Sequence, residues 1–248
     1  MGEKNEVGLT PLLIAASKGH AEEVELLLVD GSEVEDRDPV RGWTPLHFAA
    51  VYGHVRIIQL LLLHGTDVNS RSRPGATPIH LASLQGHQVS VATLLQAGAD
   101  PLLPDDDGGL PIHYAAMHNH SEVVKILIEQ GGCRPDVSYS ALQKLIIIVS
   151  LQPSTWDVGR TPLMAAALLG ADQTVSYLLS KGASPDKTDG NGMTALTLAI
   201  TSHCLTTITA LASVTQAHLG QALEWLALEK VELMSEDLRP GVSINFKT

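Results

Sequence analysis

Gly42-Trp43-Thr44-Pro45-Leu46-His47-Phe48-Ala49-Ala50-Val51-Tyr52-Gly53-His54 is the stretch that decides the fold, because the chain repeats it. Versions of its core stand as TPLL at 10–13, TPLH at 44–47, TPIH at 77–80, LPIH at 110–113, TPLM at 161–164 and TALT at 194–197. The anchors are 34, 33, 33, 51 and 33 residues apart. Each residue type has a local reason. Thr44 is suited to cap a helix, and Pro45 takes its first position, where no N–H is needed. Ala49 and Ala50 let a neighbour pack closely, and Gly53 ends the run with a left-handed residue that costs glycine nothing. Gly19, Gly86 and Gly170 occupy the same place in other copies, and Asn119 does so in the fourth. A second apolar run follows, Ile57-Ile58 and Leu60 to Leu63 here, ended by Gly65; Gly31, Gly98, Gly131 and Gly182 match that glycine.

Each copy therefore reads as helix, turn, helix, loop. Helices of about ten residues are marginal alone in water, so stability has to come from stacking. Six copies at about 8 to 10 Å spacing give an elongated body roughly 50 to 60 Å long with a continuous core.

A period of 33 residues with T-P-L-H-x-A resembles the ankyrin repeat, and the resemblance runs from about Gly8 to about Ala212. It implies an all-α solenoid, a single array with repeats at about 8–40, 41–74, 75–107, 108–133, 157–188 and 189–214. The first copy begins almost at once, so its preceding hairpin is expected to be missing or very short, as in a fragment of a longer protein. The second hairpin carries one extra residue, in Asp38-Pro39-Val40-Arg41, and the third begins Arg71-Ser72-Arg73-Pro74. The fourth reverses the sign with Pro104-Asp105-Asp106-Asp107, which predicts a ridge basic at one end and acidic at the other.

Residues 134–156 form an insertion, since the fourth spacing exceeds the period by 18 residues. Ser140 with Gln143 suits a capping box, and Leu142, Leu145, Ile146 and Val149 share one helical face before Pro153. That predicts an extra helix, although Ile146-Ile147-Ile148-Val149 is also strand-like. The insertion is read either as part of the working face or as a clip over the seam. After the sixth copy no further TPLH appears; Leu219, Leu223 and Leu226 at i, i+4 and i+7 suit a capping helix within a terminal segment 215–248.

Composition narrows the function. The chain has 248 residues, 44% hydrophobic but only 4% aromatic, which suits helices packed through Leu and Ala. A net charge of −11 argues against nucleic acid, which calls for a basic face, and is compatible with basic protein partners. No apolar run approaches the roughly 20 residues of a membrane span, and no secretory leader pattern precedes the first copy. Met1-Gly2 is not a myristoylation signal, because Glu6 stands where Ser or Thr is needed. Cys133 and Cys204 give no disulfide framework and read as reduced thiols, so the expected location is cytoplasm, with the nucleus as alternative.

No phosphate loop, G-x-S-x-G, H-E-x-x-H or paired-cysteine motif occurs, so no catalytic residue, cofactor or metal is expected. His113, His118, His120 and Cys133 invite a zinc reading. The resemblance removes most of it, implying that His47, His80 and His113 tie loop to helix by hydrogen bonds. His20, His54, His87 and His120 follow the residue that ends each first helix, and the remaining His118 alone is no zinc site.

The function expected is a non-enzymatic, monomeric scaffold or adaptor that binds a peptide or protein domain on its concave face. The resemblance places recognition residues at hairpin tips and first-helix ends. In this sequence these are Arg41, Trp43, Val51 and Tyr52; Arg73, Leu84 and Gln85; Asp106, Asp107, Met117 and His118; then Arg160, Leu168 and Leu169. Polar residues, Ser17 and Lys18 or Thr201 and Ser202, occupy the helix-end positions of the outer copies. A competing reading is a regulatory module that sequesters a signalling or transcription factor, as the acidic inhibitor-of-NF-kappaB family does with a similar repeat number. A third is a small ligand held by Trp43 and nearby arginine. Asn69, preceded by Leu61, Asp67 and Val68, resembles the context in which asparaginyl hydroxylases act on such hairpins.

Leu110 stands where Thr begins the other copies, loss of a cap costs about 1 kcal/mol, and the insertion follows. Amide hydrogen exchange is therefore expected to be faster in the helices between residues 110 and 160 than in those of the second and third copies. Equal protection along all six would contradict this.

Overall fold

The computed structural model describes residues 4–138 and 159–215. Among them are twelve helices in six pairs. The first helices of the pairs are α1 (Pro11–Lys18), α3 (Pro45–Val51), α5 (Pro78–Gln85), α7 (Pro111–Met117), α9 (Pro162–Leu168) and α11 (Ala195–Thr201). The second helices are α2 (Ala21–Val29), α4 (Val55–Leu63), α6 (Gln88–Gln96), α8 (Ser121–Glu129), α10 (Asp172–Ser180) and α12 (Leu205–Ala212). No strand occurs among the described residues, and the all-α reading holds.

Each first helix packs on the next, and each second helix does the same, giving two parallel layers. Contact is closer in the first layer. Ala15, Ala16, Ala49, Ala50, Ala82, Ala115, Ala116, Ala166, Ala167 and Ala199 line its seams and are completely buried. Small side chains there, against Val24, Ile58, Leu94, Val124 and Val175 in the second layer, let successive first helices approach closely.

Helix starts follow two patterns. Thr10, Thr161 and Thr194 accept from the backbone N–H three residues on, at 3.4, 3.3 and 3.2 Å. Thr44 and Thr77 stand at the N-cap as expected, each in a capping box with the histidine three residues on. Their hydroxyls lie 2.8 Å from Nδ1 of His47 and His80, and their backbone N–H groups donate to the same nitrogens at 3.2 Å. Nε2 of His47 then donates to the Ala76 carbonyl and that of His80 to Gly109, both at 3.0 Å in the following hairpin. The imidazole is a strut between repeats as well as between loop and helix. In the fourth copy the Leu110 N–H reaches His113 Nδ1 at 3.2 Å, and Leu110, with no side-chain acceptor, is buried instead.

A second row of side chains bridges successive copies at the start of each second helix. His87 donates to the Val51 carbonyl and His120 to that of Leu84, each at 3.0 Å. The rings lie directly over Gly53 and Gly86, where a Cβ would come within 2.8 and 2.5 Å of ring atoms and φ is +73° and +77°. Glycine is thus required there both to turn the chain and to admit the next repeat. Where the fifth copy has Ala171 in place of histidine, Thr174 donates to Asn119 at 3.0 Å.

One expectation, a very short first hairpin, is met, and two others change. Asn5 to Leu9 forms a hairpin before α1, with Asn5 N–H donating to the Leu9 carbonyl at 2.9 Å and Gly8 N–H to that of Asn5 at 2.8 Å. Its side-chain oxygen also accepts from Val7 and Leu9, so a short polar residue closes the turn without the rest of a hairpin segment. In the fourth copy the left-handed glycine is Gly132 at φ +67°, not Gly131, because α8 ends with Gln130 still near helical angles. Asp105, grouped with the acidic ridge, is buried and closes its own hairpin. The insertion does not interrupt the stack: α7 packs on α9 and α8 on α10, and Glu129–Lys181 and Asp136–Lys187 ion pairs at 2.9 and 2.8 Å cross the junction. The extra helix expected around 140–153 and the capping helix around 219–226 lie outside the described residues.

Burial holds the imidazoles of His47, His80 and His113 down to about 4 from the ordinary 6.5. Backbone hydrogen bonds act weakly the other way. The unfolded chain therefore binds more protons than the folded one between those values, so stability is complete at neutral pH and falls as pH drops from about 6.5 towards about 4. The loss is on the order of several kcal/mol for the three together. Urea denaturation should show its midpoint falling between about pH 7 and about pH 4.5, with a shallower fall in His80→Gln; a midpoint independent of pH would refute the account.

Candidate functional site

The hairpins form a row beside the ends of the first helices. In the second, Asp38 closes the turn. Its N–H donates to the Trp43 carbonyl at 2.9 Å, and its buried carboxylate accepts from the N–H groups of Val40, Arg41 and Trp43 at 3.2, 3.0 and 2.5 Å. Asp105 and Asp189 repeat this in their own hairpins, accepting from Gly109 at 2.7 Å and Met193 at 2.9 Å, and Tyr114 donates its hydroxyl to Asp105. Burial raises the Asp105 carboxyl above its usual range, with the hydrogen bonds from Tyr114 and Gly109 opposing the shift.

Successive hairpins are bonded to one another. Arg73 N–H donates to the Arg41 carbonyl at 2.8 Å, and Asp106 N–H to that of Pro74 at 3.1 Å. Arginines span the same gaps. Arg37 donates to the carbonyls of Gly42 and Arg71 at 3.0 and 2.6 Å, and Arg71 to that of Pro104 at 2.7 Å. Arg73 reaches back to Val40 at 2.9 Å. Arg71 also pairs with Asp106 at 3.0 Å, so the basic and acidic parts of the ridge meet and partly neutralise each other.

Trp43 is half-buried, set edge-on to Phe48 with ring centres 5.2 Å apart, and the Arg41 guanidinium lies over its ring at 4.7 Å. It thus has a packing role besides any contact it offers outside. The helix ends place Val51, Leu84, Met117 and Leu168 half-buried in successive copies, with Tyr52, Gln85, His118 and Leu169 exposed beside them. Tyr52 and Leu169 are 53% and 55% exposed at matching positions. Tyr52 lies beside His54 and His118 stacks on His120, at 6.0 and 6.2 Å between ring centres.

The expected site residues therefore fall into three groups. Val51, Tyr52, Leu84, Gln85, Met117, His118, Leu168 and Leu169 mark the equivalent helix ends of four successive copies. Arg41, Trp43, Arg73, Asp106 and Asp107 lie on the neighbouring hairpins, with Asp106 already paired. Arg160 leaves the surface: it is buried and lies 3.7 Å from the buried Asp189, so it belongs to the fold of the hairpins. Asn69 is half-buried in a loop between copies, its side-chain oxygen accepting from Asp100 N–H at 2.9 Å and its amide donating to Gly98 at 3.4 Å.

Arg37 and Arg71, the clasps between hairpins, were not singled out from the sequence. Their signal is faint, since nothing local distinguishes a clasp from a solvated arginine. The hairpin-closing residues Asn5, Asp38, Ser72, Asp105 and Asp189 were more legible, each a short polar residue five or six positions before a repeat anchor.

Among the described residues no three His, Cys, Asp or Glu groups gather as a metal site, and no helix is long and apolar enough to cross a membrane. Burial pushes the Cys133 thiol up to about 12, so it stays protonated.

These features define a helical repeat protein that presents a surface of helix ends and hairpin tips. The family model for ankyrin repeats in sets of three matches residues 1–72, 63–139 and 137–221, and the chain belongs to the ankyrin-repeat family. Members of this family are generally protein–protein interaction modules and typically non-enzymatic. No curated protein sequence matches the chain.

Proposed function

We propose that this protein is a non-enzymatic scaffold or adaptor whose inner, first-helix face holds a peptide or domain of a protein partner. One observation carries the reading: four successive copies present apolar side chains at the same helix end, and polar residues take over in the first and last copies. A solvated face has no reason to repeat Val51-Tyr52, Leu84, Met117 and Leu168-Leu169 in register, whereas an exposed apolar patch of this kind marks an interaction site. Tyr52 supplies a rigid aromatic anchor, and Trp43, held beneath Arg41, adds apolar area at the hairpin edge. Arg41 and Arg73 favour acidic groups on one flank of the partner, and Asp107 favours basic groups on the other. Asp106, paired with Arg71, contributes less.

A partner recovered with the full chain and measured by calorimetry should lose about thirtyfold in affinity or more with Tyr52→Ala, and comparably with Leu84→Ala. Trp43→Ala should weaken binding as well, with a modest loss of stability because the Phe48 edge contact goes with it. Asp107→Asn is expected to change mainly the salt dependence. Wild-type affinity in both Tyr52→Ala and Leu84→Ala would move the site elsewhere.

The hydroxylation proposed for Asn69 has a separate check. Its side chain already bridges two loops, so modification requires that hairpin to open. After co-expression with an asparaginyl hydroxylase, the peptide containing residue 69 should gain one oxygen atom; an unmodified peptide under those conditions would reject the assignment.

A further inference from the structure

A cleft of about 420 Å³ opens between the first three hairpins. Its lining brings Lys4, Arg37, Arg71 and Arg73 together with a single carboxylate, Asp38, in a chain whose net charge is −11. Asp38, its oxygens held by three backbone N–H groups, contributes one negative charge against these four cations and leaves the lining net positive. Arg37 and Arg71 are steadied from the rim by Glu35 at 4.0 Å and Asp106 at 3.0 Å. Lys4 and Arg73 form no ion pair among the described residues.

Ser72 is one of the lining residues, 7% exposed, and its hydroxyl, closed off from solvent, has no hydrogen-bond partner in the structure. A buried hydroxyl in that state carries a desolvation cost that a ligand acceptor would remove. Other orphaned hydroxyls exist, on Thr66, Ser70, Ser83 and Ser90, but none of those residues lines this cleft.

We propose that the cleft binds a phosphate monoester. The lining holds four cations against one carboxylate, and a phosphate monoester, carrying about −1.5 to −2 near neutral pH, meets that excess more fully than a carboxylate does. Guanidinium donors suit several phosphate oxygens at once, and the Val40 carbonyl fixes the Arg73 guanidinium through Nη1. The phosphate belongs either to a free compound or to a phosphorylated side chain of a protein; the chemistry recognised is the same. The site shares Arg73 with the proposed partner surface but does not depend on it.

The test is an amide chemical-shift titration of the full chain with inorganic phosphate, against chloride at equal ionic strength. Saturable shifts are expected at residues 4, 8, 42, 72 and 73. Lys4→Gln with Arg73→Gln should weaken binding about tenfold or more, whereas Arg41→Gln, outside the cleft, should stay within about twofold. Should the double variant not fold, Lys4→Gln alone serves, since Lys4 is exposed and makes no hydrogen bond among the described residues. A blocked Ala-phosphoserine-Ala peptide binding more tightly than inorganic phosphate supports a protein-borne group, and equal binding supports a free compound. Tyr52→Ala should leave phosphate binding unchanged, which separates this site from the helix-end surface. Absence of saturable phosphate binding, or wild-type affinity in the folded Lys4 and Arg73 variants, overturns the proposal.

Discussion

The imidazole struts carry the constraint on which the architecture depends. Each repeat is two short helices that cannot persist alone, so its free energy lies in the junction with its neighbours. His47 and His80 fill that junction with directional bonds: Nδ1 accepts from the Thr44 or Thr77 N–H, and Nε2 donates across to the next hairpin. The neutral ring carrying its proton on Nε2 satisfies both ends. A charged ring would turn Nδ1 from acceptor to donor against an N–H, in a site already stripped of water. The same contact therefore sets hairpin spacing, helix start and the acid limit of the fold.

The second strut row constrains the backbone as the first constrains protonation. His87 and His120 reach carbonyls at the ends of the preceding first helices, and their rings occupy the space above Gly53 and Gly86. The proposed binding face grows out of this arrangement. Val51 and Leu84 supply the carbonyls that hold the struts, so the side chains at these helix ends are placed by the junctions themselves. A surface built this way varies its side chains without moving its backbone, which suits recognition of an extended partner.

Charge along the hairpins follows a related logic. An arginine in one hairpin donates to a carbonyl in the next, as Arg37 does to Arg71 and Arg71 to Pro104, so cations accumulate where the repeats need donors. At the first three hairpins this concentrates positive charge against an acidic background. Structural donors and a local basic cleft thus arise from the same residues.

The sequence by itself determined the repeat, the helix pairs, the left-handed residues at Gly53, Gly86 and Asn119, and the helix-end positions, because each follows from local chemistry recurring at a fixed period. It misplaced features whose role is settled by a neighbour. Arg160 reads as a surface contact until Asp189 is found beside it in the interior. Trp43 reads as a free anchor until Phe48 and Arg41 are seen against it. The cleft lined by Lys4, Arg37 and Arg73 is spread over residues from three hairpins, and no window of sequence contains it. Periodicity specifies what each residue can do within its own turn of chain. Which partner it meets across a junction is decided only when the repeats stack, because burial and hydrogen bonding there depend on atoms about one repeat away in sequence.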